Sequence, residues 1–304
     1  MSEANQVSLR YVSEASYGVT PSGSGDWKEL RFTAEALEAA PRTVTSNEIR
    51  SDRMIADMPK VGLDVQGSFD FEFSNSDFDD FIEAAMCGTW SPNVVNIGTT
   101  DRSFTLEKGF EDLSSTLIAF RGMRVGEMSL NFAYGELVTG SFTFMGNGTS
   151  SLQSSLISAY TTATTNEIFD AAAGITSFKI DGSEASACVF RSINFTVNNN
   201  LRAIEAMGND AACNISKGRA MVTGAFEAYF QDTTYYDKLI ANTANEVEFT
   251  VSDGTKTYTF RWPAVKFSSG TPQATGIDTD VMQTLEWTAL YDASATTSMR
   301  ITRT

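Results

Sequence analysis

Val61-Gly62-Leu63-Asp64-Val65-Gln66-Gly67-Ser68-Phe69-Asp70-Phe71-Glu72-Phe73-Ser74 reads as one long β-strand, because its residues alternate between two classes over the whole length. Val61, Leu63, Val65, Gly67, Phe69, Phe71 and Phe73 form the apolar side, and Gly62, Asp64, Gln66, Ser68, Asp70, Glu72 and Ser74 the polar one. At the usual rise the strand spans about 45 Å. A short helix follows: Phe78, Phe81, Ile82 and Ala85 have helical spacing, Ser76 is a candidate N-cap, and Asp77, Asp79 and Asp80 fall in the first turn.

The same frame returns in the second half. Val222, Gly224, Phe226, Ala228 and Phe230 take the places of Val65, Gly67, Phe69, Phe71 and Phe73, and Tyr235 and Leu239 those of Phe78 and Ile82. Upstream, Leu30-Arg31-Phe32-Thr33 resembles Ile193-Asn194-Phe195-Thr196. Downstream, Val247 to Val251, the turn Asp253-Gly254 and Tyr258 to Phe260 read as a tight hairpin, with 104–106 and 117–120 as a rougher equivalent. Met128, Leu130, Phe132 and Tyr134, then Val138, Gly140, Phe142 and Phe144, close the first half, and Leu285, Trp287, Ala289 and Tyr291 the second. Residues 147–165 are Ser/Thr-rich and carry no charge, which suits a linker or a packed crossover. The expected fold is therefore mainly β: two tandem barrel or sandwich domains related by internal duplication, each with one short α-helix. The expected division is 1–146, a 147–174 linker or crossover, and 175–304. No helix of crossover length alternates with the strands, which argues against a parallel α/β fold.

Composition narrows the function. The 304 residues carry 22 Lys+Arg against 38 Asp+Glu, a formal charge of -16, which disfavours tight binding to a phosphate backbone. Histidine is absent, removing the commonest general base and metal ligand. Cys87, Cys188 and Cys213 form no CxxC pair and read as small buried hydrophobes. No basic-then-apolar leader and no long apolar window occur, so a protein folded in a cytoplasm and free of membrane is expected. Asp77, Asp79, Asp80 and Glu83 could suggest a cation site, but acids in a first helical turn offset the helix dipole, and no Gly-bearing calcium loop accompanies them. Gly23-Ser24-Gly25 lacks the Gly-Lys-Ser/Thr of a phosphate loop and reads as a turn. No nucleophile elbow is present. No catalytic, cofactor or metal residue is assigned, and an enzyme is not expected.

The segment 34–58 follows neither period for long, and its run Thr45-Ser46-Asn47-Glu48-Ile49-Arg50-Ser51-Asp52-Arg53 reads as a long exposed connection. Its counterpart, roughly 198–216, is equally irregular. Ile49 and Met54 are apolar residues in a charged segment, and Arg50 and Arg53 are donors of the kind enriched at interfaces, which favours an arm that docks on another subunit.

Taken together, Tyr17-Gly18-x-x-Pro21, the run 45–53, and Gly67-Ser68-Phe69-x-Phe71-Glu72 leading to Phe78-Asp79-Asp80 resemble the tail tube (major tail) proteins of long-tailed, siphovirus-type bacteriophages. The distinctive motifs lie in the first half, and the second is matched mainly through the repeat. The resemblance implies a structural virion protein of the tail, assembled in the bacterial host cytoplasm, whose domains join side by side around a lumen and whose rings stack. Its implied partners are itself, a tape-measure protein, tail terminator and distal tail proteins, and DNA in transit. Two domains per chain point to a trimeric ring with pseudo-sixfold symmetry. Asn47, Glu48, Ile49, Arg50, Asp52, Arg53 and Met54 are then the inter-subunit or ring-stacking candidates. Asp64, Gln66, Ser68, Asp70 and Glu72 are the lumen-facing candidates, an acidic lining that would repel DNA and let it slide. The competing classes are a non-tubular binding module, carbohydrate-binding or adhesin-like, and an acidic-pair hydrolase.

Overall fold

The computed structural model describes residues 2–21, 26–113, 116–152, 156, 159–185, 189–274 and 276–304. The Gly23-Ser24-Gly25 turn and Cys188 lie outside the described residues. Over the described residues the chain is mainly β with two short α-helices. The first half comprises β1 (Val7–Ser13), β2 (Lys28–Glu29), β3 (Ala34–Glu35), β4 (Glu38–Thr43), β5 (Lys60–Glu72), α1 (Asp79–Ala85), β6 (Val94–Asn96), β7 (Phe104–Phe110), β8 (Leu117–Ala133), β9 (Thr139–Gly146) and β10 (Gly148–Leu152). The second comprises β11 (Ile175–Ile180), β12 (Ser183–Glu184), β13 (Phe190–Asn198), β14 (Arg202–Ile204), β15 (Asn214–Ser216), β16 (Met221–Tyr229), α2 (Thr234–Ala241), β17 (Asn245–Ser252), β18 (Thr257–Ser269), β19 (Met282–Ala289) and β20 (Arg300–Arg303).

The alternation of the opening stretch is kept by β5: Val65, Phe69 and Phe71 are buried while Asp64, Gln66 and Asp70 are exposed. The strand ends are exceptions, because Val61 is exposed and Ser74 buried. Gly67 interrupts the apolar line for a backbone reason. It sits at φ +149°, and a Cβ there would lie 2.4 Å from the carbonyl oxygen of Ala36, which crosses over it. The two strands expected at 117–120 and 128–134 are one, β8, which runs 17 residues and carries a bulge at Gly126, between Val125 and Glu127.

Pairing follows one order in each half. In the first, β1 pairs with β2 and β7, β7 with β8, β8 with β9 and β10, β9 with β5, and β5 with β3 and β4. In the second, β11 pairs with β12 and β17, β17 with β18, β18 with β19 and β20, β19 with β16, and β16 with β13. The halves are joined by two antiparallel seams, β8 with β13 and β6 with β20. Of the expected barrel or sandwich for each half, the closed barrel is corrected here, since no ring of paired strands closes among the described residues. The reason is that β8, instead of curling back to its own half, gives its free flank to β13, so the sheet of one half continues into the other.

The buried side chains likewise form one cluster spanning both halves. Phe71 stacks on Phe78 at 4.0 Å and on Phe142 at 5.0 Å, Phe81 of α1 packs between Tyr11 and Phe69, and Phe132 meets Phe249 at 4.9 Å across the seam. The helices differ as their sequences do. Helix α1 buries Phe81, Ile82, Ala84 and Ala85, whereas α2 rests on half-buried Tyr235 and Leu239 and stops at Asn242 in the left-handed region. Residues 159–170 pack back on the first half: Thr161 exchanges backbone hydrogen bonds with Trp27 and Glu29, and Phe169 is fully buried.

Asp79 and Asp80 stand in the first turn of α1 as expected and Asp77 precedes it, but the expected Ser76 cap does not form. Phe78 occupies the N-cap position without a side-chain bond, and Ser76 adopts φ +62° outside the helix. The carboxylates go to separate partners instead. Asp77 binds Arg31 at 3.1 Å, Asp80 binds Lys28 at 2.5 Å, and Glu83 binds Arg102 at 2.9 Å. Asp79 accepts the Tyr258 hydroxyl at 2.7 Å and pairs with Arg303, whose guanidinium lies over Trp90. Burial holds the Tyr258 hydroxyl well above the usual tyrosine range, so it stays a donor. The two contacts of Asp79 fasten β18 and β20 of the second half to the helix of the first.

Candidate functional site

Two surfaces stand out, a polar sheet face and a pair of projecting hairpins. The face is built by register. On β5, Gln66, Ser68, Asp70 and Glu72 stand opposite Met145, Thr143, Ser141 and Thr139 of β9. Those of β9 stand opposite Arg124, Glu127, Ser129 and Asn131 of β8. Across the seam, Glu127, Ser129 and Asn131 meet Asn198, Thr196 and Asn194 of β13. The row continues through Thr223, Ala225 and Glu227 of β16 to Thr288, Glu286 and Thr284 of β19, and Thr288 meets Lys266 of β18. Alternation in each strand puts the aromatic core on the reverse side.

All five lumen-facing candidates, Asp64, Gln66, Ser68, Asp70 and Glu72, lie on this face. Asp64, Gln66 and Asp70 are exposed, and Ser68 and Glu72 half-buried. They differ in their electrostatics. Asp64 is paired with Arg42 at 3.0 Å, whereas Asp70 has no side-chain partner among the described residues. Gln66 donates to Glu38 at 2.8 Å, and Asn198 donates to Glu127 at 2.6 Å. A shallow depression of about 460 Å³ crosses the seam here, lined by Asp70, Ser129, Asn131, Thr139, Ser141, Asn194 and Thr196 among others. Sequence reading confined the face to β5. The polar residues of β8, β9, β13, β16 and β19 were missed, although the intervening Glu127, Ser129 and Asn131 carried the same period-two signal.

The first hairpin is the 44–59 arm. Its legs are tied by backbone bonds from Val44 to Pro59 and Ser46 to Asp57, and the tip turns at Arg53 with φ +62°. Asn47, Glu48, Ile49, Arg50, Asp52, Arg53 and Met54 are all exposed, Ile49 at 99 % and Met54 at 70 %. Arg50 is spent inside the arm, on Asp52 at 2.7 Å and Glu48 at 3.8 Å, and this bond holds the Asp52 carboxyl below the usual range. Ile55 and Met58 extend the exposed apolar row.

The counterpart at roughly 198–216, expected to be irregular, holds a second hairpin at 202–216, because Arg202 to Ile204 pair with Asn214 to Ser216. It lies against the base of the arm through Arg42–Glu205 at 2.5 Å and Lys60–Asp210 at 2.8 Å, bonds that hold both carboxyls below their ordinary range. Met207 at its tip is fully exposed, and Cys213 is exposed, which corrects the expectation of a buried thiol there; Cys87 is buried. The alternation in Arg202-Ala203-Ile204 and Asn214-Ile215-Ser216 is too short to signal a hairpin before the pairing is seen.

No group of carboxylates and thiols suited to a metal ion occurs among the described residues, and no described helix is long and apolar enough to cross a membrane. Comparison with curated proteins finds no match. A family model described as phage tail tube protein matches residues 4–289, nearly the whole chain, and the chain belongs to that family.

Proposed function

We propose that the chain assembles into rings that stack into the tail tube, an acidic conduit for DNA and the tape-measure protein during genome delivery. The observation that carries this reading is the largely polar face running across both halves, with an aromatic core behind it. A face of this length, opposite a dry core, is suited to water on one side only. Its carboxylates include Asp70, Glu127, Glu227 and Glu286, so a passing phosphate backbone meets repulsion rather than brakes.

The two halves are read as duplicated tube domains, 1–146 and 175–304, joined through 147–174. The shared order of strand pairings supports this. Eight strand positions cross the polar face: β3 with β4, then β5, β9, β8, β13, β16, β19 and β18. At about 4.8 Å between strands each chain supplies about 38 Å of arc. Three chains close a backbone circle roughly 37 Å across, wider with strand tilt, whereas two would close at roughly 24 Å and leave little room once side chains are added. The ring is therefore taken as a trimer with pseudo-sixfold symmetry, assembled in the host cytoplasm and built into the virion tail.

The arm at 44–59 and the hairpin at 202–216 are assigned to contacts between subunits or rings, and the tube ends to the tail terminator and distal tail proteins. No catalytic step is assigned. Native mass measurement of an isolated disc tests the ring: three chains are expected, and six would refute the trimer. A preparation that stays monomeric under all assembly conditions would refute the tube itself.

A further inference from the structure

We propose that the two open ends of the continuous sheet meet between neighbouring copies of this chain. Residues 34–41 of one copy lie antiparallel to residues 268–274 of the next, in the register that β13 and β8 already use within the chain. The proposal rests on the ring-forming function above and names its seam.

One end of the seam is given by comparing β8 with β18. Strand β8 is flanked on one side by β9 and β10, and on the other first by β7, up to Met123, and then by β13. Strand β18 is flanked by β19 and β20 on one side and by β17, up to Val265, on the other. Beyond Val265 that second flank has no strand partner among the described residues. The bulges coincide, lying between Val125 and Glu127 in β8 and between Phe267 and Ser269 in β18. Aligning them puts Thr271 in the place of Ser129 and Gln273 in that of Asn131. The bridge between Gln273 and Met282 then falls where Asn131 pairs with Thr139. The chain past Ser269 thus follows β19 as β8 follows β9.

The other end is β3 and β4. Glu35 stands opposite Phe69 as Ile193 stands opposite Phe226, and Glu38 opposite Gln66 as Thr196 opposite Thr223. Strand β13 gives its outer flank to β8, but the outer flank of β3 and β4 has no strand partner among the described residues. Transferring the internal register puts Ala36 opposite Gln273, Glu38 opposite Thr271 and Ala40 opposite Ser269.

The two edges carry features of strands kept from pairing at random, and the Gly270 carbonyl is held meanwhile by the Gln283 amide at 2.5 Å. In the internal seam Asn199 donates to Gly126 at 2.8 Å and Tyr134 to Arg191 at 3.0 Å, so the hydrogen-bonded rungs hold odd residues of β13 and even ones of β8. The corresponding rungs between copies are Pro41 with Ser268, Ala39 with Gly270 and Leu37 with Pro272. Each proline deletes one donor and leaves the reciprocal bond possible, which blunts an exposed edge without closing it to a matched partner. The Leu37 N–H meanwhile donates to the Glu35 carboxylate at 3.1 Å, a side-chain cap on the waiting edge.

Glu38 and Thr271 form a non-hydrogen-bonded pair, the kind with the closest Cβ atoms and the one suited to a disulfide. The test uses the full chain carrying Cys188→Ser and Cys213→Ser, with Glu38→Cys and Thr271→Cys. It is assembled under reducing conditions, oxidised, and run in denaturant without reductant. The expected result is a ladder of linked chains at least five-fold stronger than from the displaced pair Glu38→Cys with Gln273→Cys. Ser129→Cys with Thr196→Cys, the equivalent pair inside the chain, should link within the monomer. Ala36→Cys with Gln273→Cys gives a second reading if the first pair impairs assembly. Tubes of normal diameter that show no ladder with either pair, or equal linking by the displaced pair, would overturn the register while leaving the tube intact. An unsubstituted protein that makes neither rings nor tubes would remove the function and this seam together.

Discussion

Replacing Ile49 and Met54 by aspartate separates a stacking arm from a structural one. Both side chains already face water, at 99 % and 70 % exposure, so the change removes no core contact. Monomer stability should move by less than about 0.5 kcal/mol. If the arm docks on the next ring, each side chain loses about 1.5–3 kcal/mol of burial on assembly. Counting only half of the lower value for each still gives about 1.5 kcal/mol per chain. A trimeric ring docks three arms together, which sums to about 4.5 kcal/mol, or roughly a thousand-fold in the concentration needed to extend a tube. The apolar pair is preferred to Arg50 because reversing that charge would break the arm's own Arg50–Asp52 bond and confuse folding with docking. The assay is sedimentation of polymer against total concentration, with urea denaturation of the monomer alongside. An unchanged critical concentration, or a monomer destabilised by more than about 1 kcal/mol, would refute the reasoning.

Three further outcomes follow from the same geometry. Asp70→Lys with Glu286→Lys should leave the fold intact and slow DNA release from virions, the defect fading as salt approaches about 1 M, where the Debye length is about 3 Å; no salt dependence would count against the lumen placement. Phe71→Ala should cost about 3–5 kcal/mol by urea melting, since the ring stacks on both Phe78 and Phe142; a loss below about 1 kcal/mol would mean the core relaxes around it. Glu205 and Asp210 have folded pKa values below their unfolded ones, so the contact of the second hairpin with the arm is fully present above the ordinary carboxylate range and is lost as pH falls through the depressed values. Hydrogen exchange of residues 202–216 should be flat from pH 7 to about 5, after correction for intrinsic rates, and rise only below about 4; loosening near pH 6 would contradict it.

Much of the fold was legible because alternation is a local signal. The residues of β5 announce the strand, its buried face and its polar face before any contact is known, and the hairpin around Asp253-Gly254 is fixed by turn chemistry. What stayed hidden was long-range pairing. Nothing in Glu127 or Ser192 says that β8 will pass its flank to β13, and that one choice replaces separate barrels with a continuous sheet. The first-turn place of Asp79 and Asp80 was legible, whereas the partners of Asp77, Asp79 and Asp80 were not, because Arg31, Lys28, Tyr258 and Arg303 lie far away in sequence. The arm could be read from its polarity and its two stray apolar residues, while its companion at 202–216 is defined by contacts to Arg42 and Lys60 that no window reveals.

The most direct test of the tube assignment is a cryo-EM reconstruction of assembled protein at side-chain resolution. The expected map shows stacked trimeric rings with Gln66, Asp70, Ser129, Asn194 and Glu286 facing a continuous lumen and the Phe71 side packed away from it. A map in which that polar face lies on the outer surface, or against a neighbouring layer with no open channel, would contradict the conduit.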